Sequence, residues 1–423
     1  MDNTRVLISG ASVAGPAIAY WLNRYGFQTT VVERARGLRP GGFGVDFRGH
    51  VHLAVLQQMG ILEDVRRWQT NMGDMAFVDA DGNVKASLPS FVASGDVEIE
   101  RGDLSRILHA RTKDTTEYIF GDSIASLDET PDEVRVAFER GDPRTFDLVI
   151  GADGLHSNVR RLVFGDESQF LHFAGWYIAG GYVMPNHLGL DHRTVSYTEP
   201  GRTVSLSSRR DASVADVSLV FASEELDVDR NDLEGQKRVL TERFADVAWE
   251  APRALEALRD APTLYFDSLS KIHMDDFVRG RVALLGDAGY GATLGGLGTG
   301  LAIVGAYILA GELASAAGDY RAGFANYQQE IRSYASGCQK LADGAGPFLA
   351  PRTKGEIRRR NIIYRLLSMR VLAGFFNGLT TKAAIDITLK DYSAWLRTGA
   401  EPKSNDGRPA VAASEVASGT QPG

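Results

Sequence analysis

One acidic residue set among glycines is where this chain could do chemistry. Residues 280–307 read GRVALLGDAGYGATLGGLGTGLAIVGAY. A short apolar run, 282–285, leads into Gly286-Asp287, then a glycine-rich loop, then a long apolar helical stretch. This puts one carboxylate and a row of backbone amides at a helix mouth, which suits a sugar-like hydroxyl chain and an electron-rich ring. A second such place lies near the start. Residues 10–15 read GASVAG, after the apolar run Val6-Leu7-Ile8 and before a helix expected over 16–25. In G-x-G-x-x-G the first glycine makes a tight turn, the second admits a pyrophosphate, and the third packs helix on strand. Here Gly10 and Gly15 keep their places and Ser12 replaces the second glycine. Serine is small, and its hydroxyl can bond a phosphate oxygen. Glu33 follows 23 residues after Gly10, at the end of a second expected strand, where a carboxylate can hold ribose hydroxyls. A third stretch, 147–161, reads DLVIGADGLHSNVRR. Its Asp153-Gly154 turn permits a tight approach to a dinucleotide, since glycine takes positive φ. The alternative is an Asp-Gly turn that caps a helix through Asp153 or Ser157.

These three stretches, in this order and spacing, resemble those of the single-component FAD-dependent aromatic hydroxylases, the p-hydroxybenzoate hydroxylase-like flavoprotein monooxygenases. The resemblance covers about residues 1–340 and is nearest to the branch that inactivates tetracyclines and modifies natural products. It implies an α/β fold: a Rossmann-like FAD-binding domain, an inserted α+β substrate domain on an antiparallel sheet, and C-terminal helices. It implies that Gly10, Ser12, Gly15 and Glu33, with the adjacent Arg34, hold the ADP part of FAD, and that Asp287 bonds the ribityl chain. The Asp153 motif would serve both FAD and NADPH without a second Rossmann domain, and Gly298-Thr299-Gly300 would face the flavin pyrimidine edge. Arg101 matches the family's arginine at the flavin nucleotide, Asp46 a flavin-contacting aspartate of the tetracycline branch, and Arg39 its NADPH-contacting arginine. Arg202 aligns loosely with a substrate-contacting arginine, and Phe173, Tyr182 and Tyr290 are further lining candidates. The chain departs from the family in reading Ala288-Gly289-Tyr290 where Ala-Ala-His is common, with no proline and a loop one residue shorter.

The implied activity is hydroxylation of an aromatic or polyketide-like small molecule, an antibiotic such as a tetracycline among the candidates. NADPH or NADH would reduce FAD, O₂ would add to flavin C4a, and the hydroperoxide would pass an oxygen to the substrate. No side chain needs an acid, base or nucleophile role. The rival readings are a flavin-dependent dehydrogenase or reductase on the same fold, and a flavin-binding protein without turnover.

The elements that must position these residues read as a discontinuous nucleotide domain (1–75, 95–165 and 275–340) and a β-rich substrate domain (76–94 and 166–274). C-terminal helices (341–398) and a disordered tail (399–423) follow. A hairpin is expected around Asp81-Gly82. A single helix, 233–244, is expected within the β-rich part, and 320–395 reads as mostly helical. Composition is that of a soluble globular chain, with 44% hydrophobic and 24% charged residues. A net charge of −8 argues against nucleic acid as a partner. Cys338 is the one cysteine, which excludes an intramolecular disulfide. Residues 1–4 lack a signal-peptide layout, and the apolar run 301–313 is interrupted and too short for a bilayer, so a cytoplasmic monomer or homodimer is expected. His50-x-His52 is no metal site, because i and i+2 point apart on a helix. Arg358 to Arg360 reads as a solvated helix start, the alternative being a contact with a partner or anionic lipid. The Trp-x-Trp signature of flavin halogenases is absent.

Overall fold

The computed structural model describes residues 4–39, 41–90, 94–293, 297–368, 382 and 384–397. The expected tail, Gly296, and residues 369–381 of the expected C-terminal helices lie outside the described residues.

Register, more than any one residue, assembles the candidate site. A six-stranded sheet runs in the order Val278–Arg279, Val282–Leu284, Leu148–Gly151, Arg5–Ser9, Gln28–Glu33, Thr116–Phe120. All pairs are parallel except the short 278–279 hairpin. Ser9 stands opposite both Gly151 and Val32, and Gly151 opposite Leu284. The strands before all three motifs therefore end together, and their loops emerge at one carboxyl edge of the sheet, where open α/β folds bind ligands. The apolar runs Val6-Leu7-Ile8, Val149-Ile150 and Val282-Ala283-Leu284 are fully buried, as a parallel sheet covered on both faces requires.

Helices Ala14–Arg24, Gly298–Ser315 and Tyr320–Ala342 pack with this sheet into one core. The Gly298–Ser315 helix has the length and apolar character to cross a membrane, but 83% of it is buried inside the protein, between the other two helices. Its one carboxylate, Glu312, accepts from Tyr392 Oη at 2.7 Å and Lys390 Nζ at 2.8 Å. These contacts strap residues 384–397 across the helix. That segment was expected to be helical; apart from Ala384 and a single 3₁₀ turn, Ser393–Trp395, it is irregular. Side-chain anchors hold it: Tyr392 fills the space a Cβ on Gly311 would take. A cavity of about 420 Å³ lies under the strap, lined by Trp21, Arg24, Tyr307 and Lys390, at the end of the 14–24 helix remote from Gly10.

The second layer is a seven-stranded sheet in the order Tyr265–Ile272, Leu171–Pro185, Val214–Ala222, Arg202–Ser208, Arg193–Glu199, Met75–Val78, Val84–Leu88. It is antiparallel except where 193–199 meets 75–78. One face (Tyr177, Ala179, Val204, Leu206, Leu219, Phe221) packs on helices Leu233–Phe244 and Ala251–Asp260. The second of these helices was not expected from the sequence. Its Ala251, Ala254, Leu255 and Leu258 lie at helical spacing and are buried, and Pro252 belongs at its start. The other face carries Ile178, Val220 and Leu269 and meets Phe43 and Ala350.

Candidate active site

Backbone contact explains the glycines of the first loop. Gly10 has φ +104°, and a Cβ there would lie 2.5 Å from Ala152 O. A Cβ on Gly15 would lie 1.8 Å from Gly10 O. Both therefore hold the turn against the next strand's end. The helix that follows has no side-chain cap, so its first amides remain available to an anion. Glu33 fastens this loop. Its Oε2 accepts from Ala11 N at 2.8 Å and its Oε1 from Ala35 N at 2.9 Å.

Arg101 begins the helix Arg101–Thr112 and donates from Nη1 to Ser12 Oγ at 2.9 Å. Its guanidinium lies below the usual arginine range, first through burial and then through the neighbouring charge of Arg39. Among the described residues neither arginine forms an ion pair with a carboxylate, and a Cβ on Gly42 would come within 3.1 Å of Arg101 Nε. Two cations converging beside free helix amides is an arrangement an anion would relieve. Arg34 is exposed near Glu33. Asp46 is buried and pairs with Arg48 Nε; burial pushes its carboxyl up to about 6 against the pull of that arginine.

Asp287 lies just past the end of the Val282–Leu284 strand, close enough to Tyr265 to act on its phenol. It opens the short helix Asp287–Tyr290, behind Gly286 at φ +63°. It is accessible to solvent yet ringed by protein, and that poor solvation, with some repulsion from Asp267, pushes its carboxyl up to about 6. Its carboxylate has no hydrogen-bond partner among the described residues. A Cβ on Gly298 would lie 3.5 Å from its Oδ1, so the carboxylate faces the uncapped start of the Gly298–Ser315 helix. Gly300, in that first turn beside Thr299, is required by His52, since a Cβ there would lie 2.1 Å from the imidazole. His52 is fully buried and pushed down to about 4 by burial and by Arg48. Its Nδ1 accepts from Arg48 N at 3.1 Å, so Nε2 bears the proton donated to Tyr334 Oη at 2.8 Å. Both nitrogens are thus engaged within the protein.

The Asp153 carboxylate turns inward. It accepts from Val159 N at 3.1 Å, Ser9 Oγ at 3.3 Å and Ser157 Oγ, while Ser157 caps the helix Asn158–Val163 through Arg160 N. What this motif presents to the cleft is backbone: Gly154 has φ +83°, with open space where a side chain would be. Arg160, fully buried, ties the motif to the Asp287 loop by donating to Leu155 O at 2.6 Å and Ala288 O at 2.9 Å.

The four substrate candidates are not brought to the cleft. Tyr182 packs on the helix-covered face of the large sheet, because a bulge at Gly180–Gly181 shifts the alternation by one residue. Phe173 lies at the edge of the same cluster, 5.2 Å from the Tyr177 ring. Arg202 pairs with Glu199 at 2.9 Å and with Asp246 at the end of the 233–244 helix. Tyr290 is buried in the nucleotide core, where its hydroxyl bonds Tyr327 Oη at 2.8 Å and fills the space above Gly305. Arg360 also departs from its expectation. It is buried against the Phe77 ring at 4.4 Å and donates to Thr198 Oγ1 at 3.1 Å, whereas Arg358 and Arg359 are exposed.

The residues that do face the cleft from the sheet were missed. Tyr265, Asp267 and Leu269 alternate along one strand toward that side. Tyr265 is 40% exposed and feels Asp267, Asp287 and Arg101 together, while Phe43 meets its ring at 5.3 Å. Strict alternation along 265–269 was the available signal. Further across the same face, hydroxyls pair between strands: Thr194 with Ser207 at 2.9 Å and Ser196 with Ser205 at 2.8 Å.

A parallel sheet whose glycine-rich loops converge at one edge, with cations and a lone carboxylate lining the cleft, belongs to the class of folds that hold a dinucleotide cofactor. Residues 3–340 match the family described as FAD binding domain, and the chain belongs to that family. A Mycobacterium tuberculosis (strain ATCC 25618 / H37Rv) protein described as uncharacterized is 45% identical over 361 residues, or 84% of this chain and 96% of that protein. The flavin-dependent monooxygenase of Legionella longbeachae serogroup 1 (strain NSW150) is 38% identical over 345 residues, 80% of this chain and 88% of that enzyme. The crystal structure of tetracycline destructase Tet(55) superposes with a TM-score of 0.79 at 37% identity, covering 93% of this chain and 100% of that one. The protein is an FAD-dependent monooxygenase.

Proposed function

We propose that this enzyme uses NAD(P)H and O₂ to hydroxylate an aromatic or polyketide-like small molecule, with tetracyclines among the compounds to test. The observation that carries this reading is Asp287, an unpartnered carboxylate beside free helix amides in a cleft between the dinucleotide loops and the second sheet. The residues fit FAD. Gly10, Ser12, Gly15, Arg101 and Glu33 would hold the adenosine and pyrophosphate, and Asp287 would accept from the ribityl hydroxyls. The amides of Gly298, Thr299 and Gly300 would face the ring edge, and Arg39 would take the nicotinamide nucleotide's phosphate. Bound there, FAD would supply redox chemistry and oxygen activation.

The chain's own task is then to position the substrate and exclude water. The substrate would lie between Asp287 and the sheet face of Tyr265, Ile178 and Val220, under Phe43. The hydroxyl pairs across this face suit an oxygen-rich ring system more than a bare hydrocarbon. In this reading the modules are the nucleotide domain (1–75, 95–165, 275–340) and the sheet domain (76–94, 166–274) of a cytoplasmic enzyme.

The test is NAD(P)H oxidation by the FAD-loaded protein with and without a panel of aromatic and tetracycline-type compounds, with products identified by mass spectrometry. A product heavier by one oxygen atom supports hydroxylation. Peroxide formed in step with NAD(P)H loss, with every compound recovered unchanged, points to an oxidase or reductase instead.

A further inference from the structure

His156, two residues beyond Gly154, stands between two carboxylates from different parts of the chain. Its Nδ1 lies 3.1 Å from both Glu167 oxygens, and its Nε2 lies 3.0 Å from Asp267 Oδ1. Carboxylates only accept hydrogen bonds, so the imidazole makes both contacts as a doubly protonated cation. Burial works to lower its pKa, but Asp267 and Glu167 outweigh that and raise it. Other charges face this group. Arg160 donates to Glu167 Oε2 at 3.0 Å, Arg230 also pairs with Glu167, and Asp287 lies beyond Asp267 toward the cleft. Asp267 shares a strand face with Tyr265, whose phenol it influences most strongly among the charged groups, ahead of Asp287 and Arg101. The imidazole is 22% exposed. One end of the group therefore meets solvent and the other the cleft.

The proposed hydroxylation consumes a proton in the cleft. Hydroxylation follows NAD(P)H + H⁺ + O₂ + RH giving NAD(P)⁺ + ROH + H₂O, so each turnover takes up one proton in a site that must exclude water. We propose that His156 and Asp267 form the proton store that supplies the cleft. Asp267 takes a proton from His156 Nε2 and passes it on toward Tyr265, which returns Asp267 to the carboxylate form. The neutral imidazole then regains a proton from solvent through its exposed edge, and Glu167 and Arg160 hold the ring in place throughout. The net change in the store is zero, and the proton consumed comes from bulk water.

The inference rests on the proposed function, yet its test does not need the right substrate. Uncoupled turnover, NAD(P)H + H⁺ + O₂ giving NAD(P)⁺ + H₂O₂, also consumes one proton. The FAD-loaded enzyme is compared with His156→Asn and Asp267→Asn in peroxide-forming turnover across pH, each checked for full FAD content. Asp267→Asn still accepts a hydrogen bond from the ring but cannot carry a proton. We expect the wild type to slow at pH values above the raised histidine pKa. Both variants should fall about 10- to 100-fold and lose that limb. Added imidazole should restore part of the rate to His156→Asn and none to Asp267→Asn. If either loaded variant keeps the wild-type rate and pH profile, the proposal is overturned. If His156→Asn does not fold, Asp267→Asn alone decides. Absence of a hydroxylated product from a panel would count against the proposed function and leave this comparison intact.

Discussion

Replacing Asp287 probes the cofactor cleft through a pH signature as well as an affinity. In the protein without FAD, poor solvation pushes this carboxyl up to about 6, well above the unfolded value of about 3.9. A carboxyl raised on folding disfavours its own ionised form, so Asp287 withdraws stability from the apoprotein as pH climbs from about 4 to about 6, and the loss is complete above that. A ligand that donates hydroxyls to the carboxylate favours the ionised form and reverses the trend. FAD should therefore bind more weakly as pH drops below about 6, and binding near that pH should release a proton. A hydrogen bond to a charged acceptor contributes about 1.5–3 kcal/mol, so Asp287→Ala should weaken FAD by about 10- to 150-fold. Asp287→Asn should lie between and lose the acid limb. Isothermal titration of apoprotein with FAD from pH 5 to 8, in two buffers of different ionisation enthalpy, reads affinity and proton release together. A fully loaded, yellow Asp287→Ala protein, or the same pH dependence in Asp287→Asn, would refute the assignment.

Other outcomes follow from packing. Gly10→Ala places a Cβ 2.5 Å from Ala152 O at a φ of +104°, so thermal denaturation should show a loss of about 2–4 kcal/mol together with loss of FAD. Tyr290→Phe removes the 2.8 Å bond to Tyr327 from the core, and should cost about 1 kcal/mol of stability while kcat/KM stays unchanged. A changed substrate preference in that variant would restore Tyr290 to the pocket. Glu312→Ala unties Tyr392 and Lys390, so hydrogen exchange should accelerate across residues 384–397 and stay slow in the parallel sheet.

The nucleotide half could be read because its demands are local. Gly10, Gly15, Glu33 and Asp287 each answer a requirement of turn, packing or charge that fixes residue type at a set place on a strand–loop–helix unit. The second sheet was less legible. Its faces depend on alternation, and a single bulge at Gly180–Gly181 sends Tyr182 to the side opposite the one strict alternation gives it. The Ala251–Asp260 helix was hidden by Pro252, which reads as a break yet sits in the first turn, where proline costs nothing. The strap over Glu312 carries no periodicity, since it is held by side-chain anchors and not by its own backbone pattern. His156 and Asp267 are 111 residues apart, and no sequence spacing announces a contact that arises where the two sheets meet.

In the proposed reaction one oxygen atom of O₂ ends on an aromatic or polyketide-like carbon. The most direct test supplies the FAD-loaded enzyme with NAD(P)H and ¹⁸O₂ in ordinary water, over a panel that includes tetracyclines and simple phenols, and weighs every product. At least one product should carry a single ¹⁸O atom, formed in proportion to the NAD(P)H consumed. Complete recovery of the label as peroxide or water, with the whole panel unmodified, would contradict the proposed reaction.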